Sequence, residues 1–528
     1  MREPRTVTPQ QLQACIQDGQ ELALLDVREA GQFGESHLLF AVPLPYSRLE
    51  LVVGGLIPRK TVRIVLCDGS DGIASQAAER LAALGYTDVS ELAGGIRAWA
   101  NAGYPLFAGV NVPSKLFGEL VEHEYHTPRV TVQELARMKA ARENFVIVDG
   151  RPFAEYQKMN IPGGICCPNA ELPYRIHEIA RDPTTKIIVN CAGRTRSILG
   201  AQTLINFGIQ NPVYALENGT QGWVLADLEL ERGASRRYPD CIPDAALPGL
   251  RAQAAALMNR FAVKSVAATE VQRWLDDPQR TTYVLDVRTA EEFAAGSVPG
   301  AVHAPGGQLV QATDQWVGVR NATIVVIDSE AVRAPVVATW LKQLGFDAYV
   351  LQEGASATLR FPGPPTSDLP ALTPISPAEL KNAVNAGAST CSVFDLRPSM
   401  SFRRAHVSGS RWTIRPRIAR DAHKAREPVV LIADEADFAR LAAIDLLEAG
   451  CRDVRRLEGG FDAWTAAGYA TEASPDSPPD NACIDYLFFV HDRHAGNRAA
   501  MQQYLAWETG LIAQLGSEDR KLFKVGAQ

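Results

Sequence analysis

The residue with the clearest chemical potential is Cys191, which opens the heptapeptide Cys-Ala-Gly-Arg-Thr-Arg-Ser at 191–197. Before it stands the apolar run Lys-Ile-Ile-Val-Asn, residues 186–190, which is typical of a buried parallel strand. After it, apolar residues recur at three- and four-residue steps as far as Gly208, as in a helix that ends in a glycine cap. The pattern predicts a cysteine on a strand-to-helix turn, with Arg194 and Arg196 beside it and no acidic residue in the loop.

Such a turn favours a reactive thiol. Backbone N–H groups of a tight loop and of a helix N-terminus converge on one point, and the helix dipole favours negative charge there. We therefore expect a lowered pKa for Cys191, whose thiolate would be the nucleophile. Arg194 and Arg196 add positive charge and hydrogen-bond donors for an anionic substrate. The alternative is a buried, inert cysteine at a strand end.

The elements that must position this loop belong to a repeat. A short apolar run ends in Asp-x-Arg four times, with the aspartate at Asp26, Asp149, Asp286 and Asp395. A stretch typical of a helix precedes each copy, and a glycine-rich turn, a further strand, a helix and a final glycine turn follow it. Alternating strands and helices of this length predict an α/β fold with a parallel sheet in each repeat. We expect the Asp-x-Arg pairs to be structural rather than catalytic.

The cysteine loop carries a family resemblance. Together with Val-Ile-Val-Asp-Gly-Arg at 146–151 and Leu-Glu-Asn-Gly at 216–219, it resembles a rhodanese (sulfurtransferase) domain, whose loops of this type form persulfides. A related family with the same fold, the cell-cycle phosphatases, has a loop one residue longer and an arginine six positions after the cysteine. Here Ser197 stands at that position and Arg196 precedes it, which favours sulfur over phosphate chemistry.

The resemblance, applied to all four repeats, implies four tandem rhodanese-like domains, each a parallel sheet flanked by helices, and a mainly helical C-terminal tail. We place domain 1 at 5–108, domain 2 at 125–234, domain 3 at 262–364, domain 4 at 374–472 and the tail at 473–528. Domain 2, which contains Cys191, is the domain expected to be catalytic.

The other three domains differ from domain 2 in the cysteine loop. By its distance from Asp-x-Arg, Cys67 takes the place of Cys191 in domain 1 to within one residue. Two aspartates follow it, and negative charge raises a thiol pKa, so Cys67 is a candidate second thiol of doubtful activity. Spacing puts Asp328 at this place in domain 3, and in domain 4 the apolar run 429–432 leads to Ala433 and Asp434. We expect domains 3 and 4 to be inactive.

Composition sets limits on function. The net charge of −7 disfavours a general nucleic-acid or membrane-surface role. No run of apolar residues is long enough for a membrane span, and no signal core follows the first residues, so we expect a soluble cytoplasmic protein. The nine cysteines are scattered and contain no C-x-x-C, which disfavours a disulfide framework or a zinc site. We expect no metal and no organic cofactor.

The resemblance implies sulfur transfer through a Cys191 persulfide. The substrate-binding residues would be Ala192, Gly193, Arg194, Thr195, Arg196 and Ser197. The partners would be a small sulfur-donor anion and a thiol or protein persulfide acceptor. Thiosulfate, 3-mercaptopyruvate and a protein persulfide remain open as donors. The alternative is a scaffold, or a persulfide carrier or sensor, that uses inactive rhodanese domains to bind other proteins.

Overall fold

The computed structural model describes residues 5–361, 369–386, 391–488, 491 and 496–526. Four sheets of five parallel strands repeat the same order, in which the first strand of each domain lies at one edge and the fourth strand at the centre. Helices cover the sheets, and the tail is helical. The predicted fold class is therefore confirmed.

Residue contacts divide the chain into two compact units. Domains 1 and 4 fall in the first unit, made of Met1–Leu12, Leu24–Val110 and Pro364–Phe488. Domains 2 and 3 fall in the second unit, made of Asn111–Gly363, the tail from residue 489 (Phe489–Gln528) and a segment of domain 1 (Gln13–Ala23). Domain pairing thus does not follow chain order.

The sheets of domains 1 and 4 are built alike. Across the sheet, the strands of domain 1 are Thr6–Val7, Val89–Leu92, Ile64–Cys67, Ala23–Asp26 and Val42–Pro43, and its helices are Pro9–Gln17, Ala30–Glu35, Leu49–Leu56, Ile73–Ala83 and Gly95–Asn101. The strands of domain 4 are Thr373–Ile375, Val454–Leu457, Val429–Ile432, Ser392–Asp395 and Arg411–Trp412, and its helices are Pro377–Asn385, Ser399–Arg404, Arg415–Asp421, Ala436–Glu448 and Gly460–Ala466. A small antiparallel pair, His406–Val407 with Thr471–Glu472, closes domain 4.

The second unit repeats the pattern and adds connecting helices. The strands of domain 2 are Arg129–Val130, Val213–Leu216, Lys186–Asn190, Phe145–Asp149 and Ile165–Cys166, and its helices are Val132–Ala140, Phe153–Lys158, Leu172–Ile179, Thr195–Phe207 and Gly219–Leu225. The strands of domain 3 are Lys264–Val266, Asp347–Leu351, Thr323–Ile327, Thr282–Asp286 and Val302–His303, and its helices are Ala268–Asp276, Ala290–Ala295, Gly306–Gln311 and Arg333–Gln343. Val112–Tyr125 precedes domain 2, Leu247–Arg260 precedes domain 3, and the tail contains Arg498–Thr509, Leu511–Gln514 and Ser517–Arg520.

Each Asp-x-Arg motif forms a buried ion pair at the end of a central strand. In domain 2, Arg151 Nε and Nη2 donate to the two oxygens of Asp149 at 2.8 and 2.7 Å. Arg151 Nη2 also donates to the Met159 carbonyl at 2.6 Å, and the other three domains repeat both contacts. Because each arginine bonds both to its aspartate and to a carbonyl of the turn that follows, these pairs stabilise the turn after the strand.

Domains 2 and 3 are joined by a buried arginine. Arg333 has no exposed side-chain surface and pairs with Glu171 of domain 2 at 2.9 Å. It also pairs with Glu292 and Glu330 of domain 3, both at 2.6 Å. Removal of this cation alone should strongly destabilise the protein, because it leaves buried negative charge uncompensated.

Two further findings concern the described residues as a whole. None of their helices is long and apolar enough to cross a membrane. Nor do they contain a group of three or more His, Cys, Asp or Glu side chains placed to hold a metal ion.

Candidate active site in domain 2

Cys191 lies on the predicted turn between strand and helix. The strand ends at Asn190 and the helix begins at Thr195. The Cys191 carbonyl accepts from the N–H of Thr220 at 2.9 Å. Gly219 packs so closely that a Cβ there would lie 2.2 Å from the Cys191 oxygen, and its φ of +52° is in the left-handed region. The site therefore requires glycine at 219.

The corresponding loop of domain 3 shows what such a turn binds. Asp328 turns its carboxylate into the loop and accepts four backbone N–H groups, from Ala331, Val332, Arg333 and Ala334, at 2.8–3.0 Å. Converging N–H groups at a helix N-terminus form an anion site. In domain 3 that site is filled by the chain's own carboxylate.

Domain 1 shows the same arrangement. The Asp68 carboxylate accepts the N–H groups of Ser70, Gly72 and Ala74 at 2.8, 3.2 and 3.3 Å. In both domains an aspartate therefore closes the loop to an external anion. Domain 4 has Ala433 at this position, which brings neither a thiol nor a carboxylate.

The backbone fixes which residues are equivalent. In each domain the glycine after the last strand packs on the carbonyl of one residue of the loop. That residue is Asp68 in domain 1, Cys191 in domain 2, Asp328 in domain 3 and Ala433 in domain 4. One residue earlier, the carbonyls of Cys67 and Asn190 accept from the N–H of Val27 and Gly150, respectively. The prediction that Cys67 is equivalent to Cys191 is therefore wrong by one residue: Asp68, like Cys191, lies 42 residues after the aspartate of its Asp-x-Arg motif, whereas Cys67 lies 41 residues after it. Cys67 is fully buried, and burial raises its pKa well above the ordinary value.

The electrostatics of Cys191 differ from the expectation. Its residue surface is 2% exposed, and burial raises its pKa. The positive charge of Arg196 and hydrogen bonds from Ser197 act in the opposite direction, whereas the negative charge of Glu508 raises the pKa further. The expected lowered pKa is therefore wrong, since the loss of water outweighs the field of the loop.

The two loop arginines are already paired. Arg194 donates through Nε to Glu119 at 2.7 Å and also contacts Glu122. Arg196 donates to both oxygens of Glu155 at 2.9 and 2.8 Å. Arg194 is thus committed to the helix before domain 2, and Arg196 is the arginine whose charge acts on the thiol.

The remaining predicted loop residues serve the turn itself. Ala192 accepts the N–H of Gln221 at 3.1 Å through its carbonyl. Ser197 Oγ donates to the Arg194 carbonyl at 2.7 Å. Thr195 Oγ1 donates to Glu508 at 2.7 Å. The Ser197 side chain thus bonds within the predicted segment, whereas those of Arg194, Thr195 and Arg196 bond to carboxylates on other elements.

The site residue that sequence reasoning missed is Glu508. It lies on the tail helix, is 1% exposed and reaches the Cys191 loop. Tyr504, one turn earlier, lies beside Gly193. The only sequence signal was the helical spacing of apolar residues in the tail, which indicates a packed helix but not what it packs against.

All four domains match one protein family. The family model described as "Rhodanese-like domain" matches residues 8–102, 131–226, 267–360 and 376–467. The crystal structure of a thiosulfate sulfurtransferase from Pseudomonas aeruginosa is 41% identical, covers 99% of both chains and superposes with a TM-score of 0.90.

Curated relatives are similar over single segments. The HTH-type transcriptional regulator Rv0324 of Mycobacterium tuberculosis is 35% identical over 111 residues, which is 21% of this chain and 48% of the regulator. This chain therefore spans about half of that relative. The thiosulfate sulfurtransferase GlpE of Pseudomonas aeruginosa is 29% identical over 106 residues, which is 20% of this chain and 93% of that protein.

Proposed function

This chain belongs to the rhodanese-like domain family, and on that premise we propose that it is a sulfurtransferase that works through a persulfide on Cys191. It would take sulfane sulfur from thiosulfate or a similar small anionic donor and pass it to a thiol or protein persulfide acceptor. Family membership and the similarity to two thiosulfate sulfurtransferases support this chemistry.

One observation carries the proposal. Four backbone N–H groups of the domain 3 loop hold a carboxylate, and Cys191 stands at the place of that aspartate in domain 2. A thiolate or persulfide anion on Cys191 would meet the corresponding N–H groups of Arg194 to Ser197. Preorganised donors aimed at developing charge stabilise it at little reorganisation cost.

The reaction has two displacements. The Cys191 thiolate attacks the outer sulfur of thiosulfate, the S–S bond of the donor breaks, and sulfite leaves with the electron pair. An acceptor thiolate then attacks the outer persulfide sulfur, that S–S bond breaks, and the Cys191 thiolate returns. Because the pKa of the resting thiol is raised, the first displacement should accelerate with pH.

A second candidate is a scaffold or persulfide carrier. It is favoured by the loops of domains 1, 3 and 4, which hold Asp68, Asp328 and Ala433 where a nucleophile would stand. Three domains without that thiol could serve to bind other proteins. A persulfide that forms on Cys191 but is not passed to small thiols would favour this candidate over a turnover enzyme.

The test is intact-protein mass spectrometry before and after incubation with thiosulfate. Wild type and Cys67→Ser should gain one sulfur atom, and Cys191→Ser should gain none. Cys67→Ser is the matched control, since it removes a buried thiol one residue out of register. A gain that survives in Cys191→Ser, or no gain in wild type, would reject the persulfide mechanism.

A further inference from the structure

The Cys191 loop is in contact with a carboxylate that is not fully used. Glu508 is 1% exposed, and its Oε1 accepts from Thr195 Oγ1 at 2.7 Å. Its Oε2 is buried and makes no hydrogen bond to any residue that the structure describes. A buried acceptor of this kind costs free energy unless a partner satisfies it.

A second buried side chain at the same place is also unsatisfied. Gln221 is 5% exposed, and neither its Nε2 nor its Oε1 has a hydrogen-bond partner within the described part of the chain. Its backbone N–H is bonded to the carbonyl of Ala192, so the residue itself is held firmly against the loop.

The two groups face one point. A Cβ placed on Gly193 would lie 3.0 Å from Glu508 Oε2 and 3.5 Å from Gln221 Nε2. The Tyr504 ring lies beside them, with Cε1 at 3.4 Å from the same Cβ position. The Glu508 carboxylate and the Gln221 amide therefore lie together beside Gly193, two residues after Cys191.

We propose that Glu508 and Gln221 form a polar subsite that binds an ammonium or hydroxyl group of a thiol substrate at Cys191 and disfavours thiols that carry an anion. The inference rests on the proposed function, because the subsite selects among substrates of that cysteine. An ammonium donates to Glu508 Oε2 and gains from its charge. A carboxylate at the same point is repelled, and Gln221 can offset only part of that repulsion.

The subsite is tested first without sulfur transfer. Native protein is alkylated with 2-bromoethylamine, a cation, and with iodoacetate, an anion, and the modification of Cys191 is followed by peptide mass spectrometry. Glu508→Gln keeps an acceptor for Thr195 but removes the charge. Glu518→Gln is the matched control, since Glu518 is an exposed tail glutamate paired with Lys521.

We expect Glu508→Gln to lower the ratio of cation to anion modification at Cys191 about tenfold or more, the scale of a hydrogen bond to a charged group. Glu518→Gln should leave the ratio unchanged. An unchanged ratio in Glu508→Gln, or an equal fall in Glu518→Gln, would overturn the proposal. This result does not depend on whether Cys191 forms a persulfide.

The second test uses protein that has first gained sulfur from thiosulfate. The rate at which Cys191 persulfide is lost is compared for cysteamine and mercaptoacetate at equal thiolate concentration. Wild type should favour cysteamine, and Glu508→Gln should lose that preference. Equal preference in both proteins would refute the subsite. If wild type gains no sulfur, the proposed function fails and the alkylation ratio still decides the subsite.

Discussion

Substitution of Gly219 by alanine should displace the Cys191 loop, and a matched variant can separate the effect of that displacement from a general loss of stability. At φ +52°, alanine costs about 1–2 kcal/mol. Its Cβ would also lie 2.2 Å from the Cys191 oxygen, and overpacking of this kind costs about 1–3 kcal/mol. Because the clash is with backbone, the loop itself must move. The sum is about 2–5 kcal/mol of lost stability.

Gly354 provides the matched control in the same unit. It has φ +56°, and a Cβ there would lie 2.4 Å from the Asp328 oxygen, so Gly354→Ala should destabilise domain 3 by a similar amount. Urea titration checks the shared loss, and sulfur gain from thiosulfate, measured by intact mass, checks the site. Only Gly219→Ala should lose sulfur gain. Full sulfur gain in Gly219→Ala, or equal loss in Gly354→Ala, would refute the reasoning.

Three further predictions concern buried charge and thiols. Arg333→Met should cost about 3–5 kcal/mol, seen as a lower urea midpoint, because it removes the cation that three carboxylates share, of which Glu171 also pairs with Arg175. The Glu292 pKa is lowered to about 2 despite burial, mainly by Arg333. The contribution of ionised Glu292 to folding stability is therefore present above pH 4.5 and lost as pH falls toward 2. Glu292→Gln should flatten the acid limb of a stability–pH curve. Iodoacetamide should label exposed Cys241 first, label Cys191 at a rate still rising at pH 9, and label Cys67 only after unfolding.

Local pattern was enough to predict the fold and the position of Cys191 between strand and helix. The apolar run before Cys191 and the helical spacing after it lie within one βα unit, where periodicity is informative. The four Asp-x-Arg motifs marked equivalent strand ends because each pair is made within two residues of sequence.

The features of the site that the sequence did not predict depend on residues that are far apart in the chain. Arg194 binds Glu119, and Thr195 binds Glu508, which no local pattern connects. The expected low pKa of Cys191 failed for the same reason, since burial and a tail residue decide it. The predicted equivalence of Cys67 and Cys191 failed because a difference of one residue in spacing was passed over. The hydrogen bond from the Val27 N–H to the Cys67 carbonyl shows that Cys67 corresponds to Asn190.

The aspartates in the loops of domains 1 and 3 suggest how sulfur on Cys191 would affect the stability of domain 2. Asp68 and Asp328 accept the N–H groups of their own loops, so those groups need no external anion as a partner. In domain 2, the proposed thiolate or persulfide anion on Cys191 would take the place of those carboxylates. A persulfide stays attached to Cys191 when the chain unfolds, so it can stabilise the protein only through contacts that its anion makes in the native state. If the loop N–H groups make those contacts, the melting temperature of the second unit should rise with the amount of sulfur on Cys191.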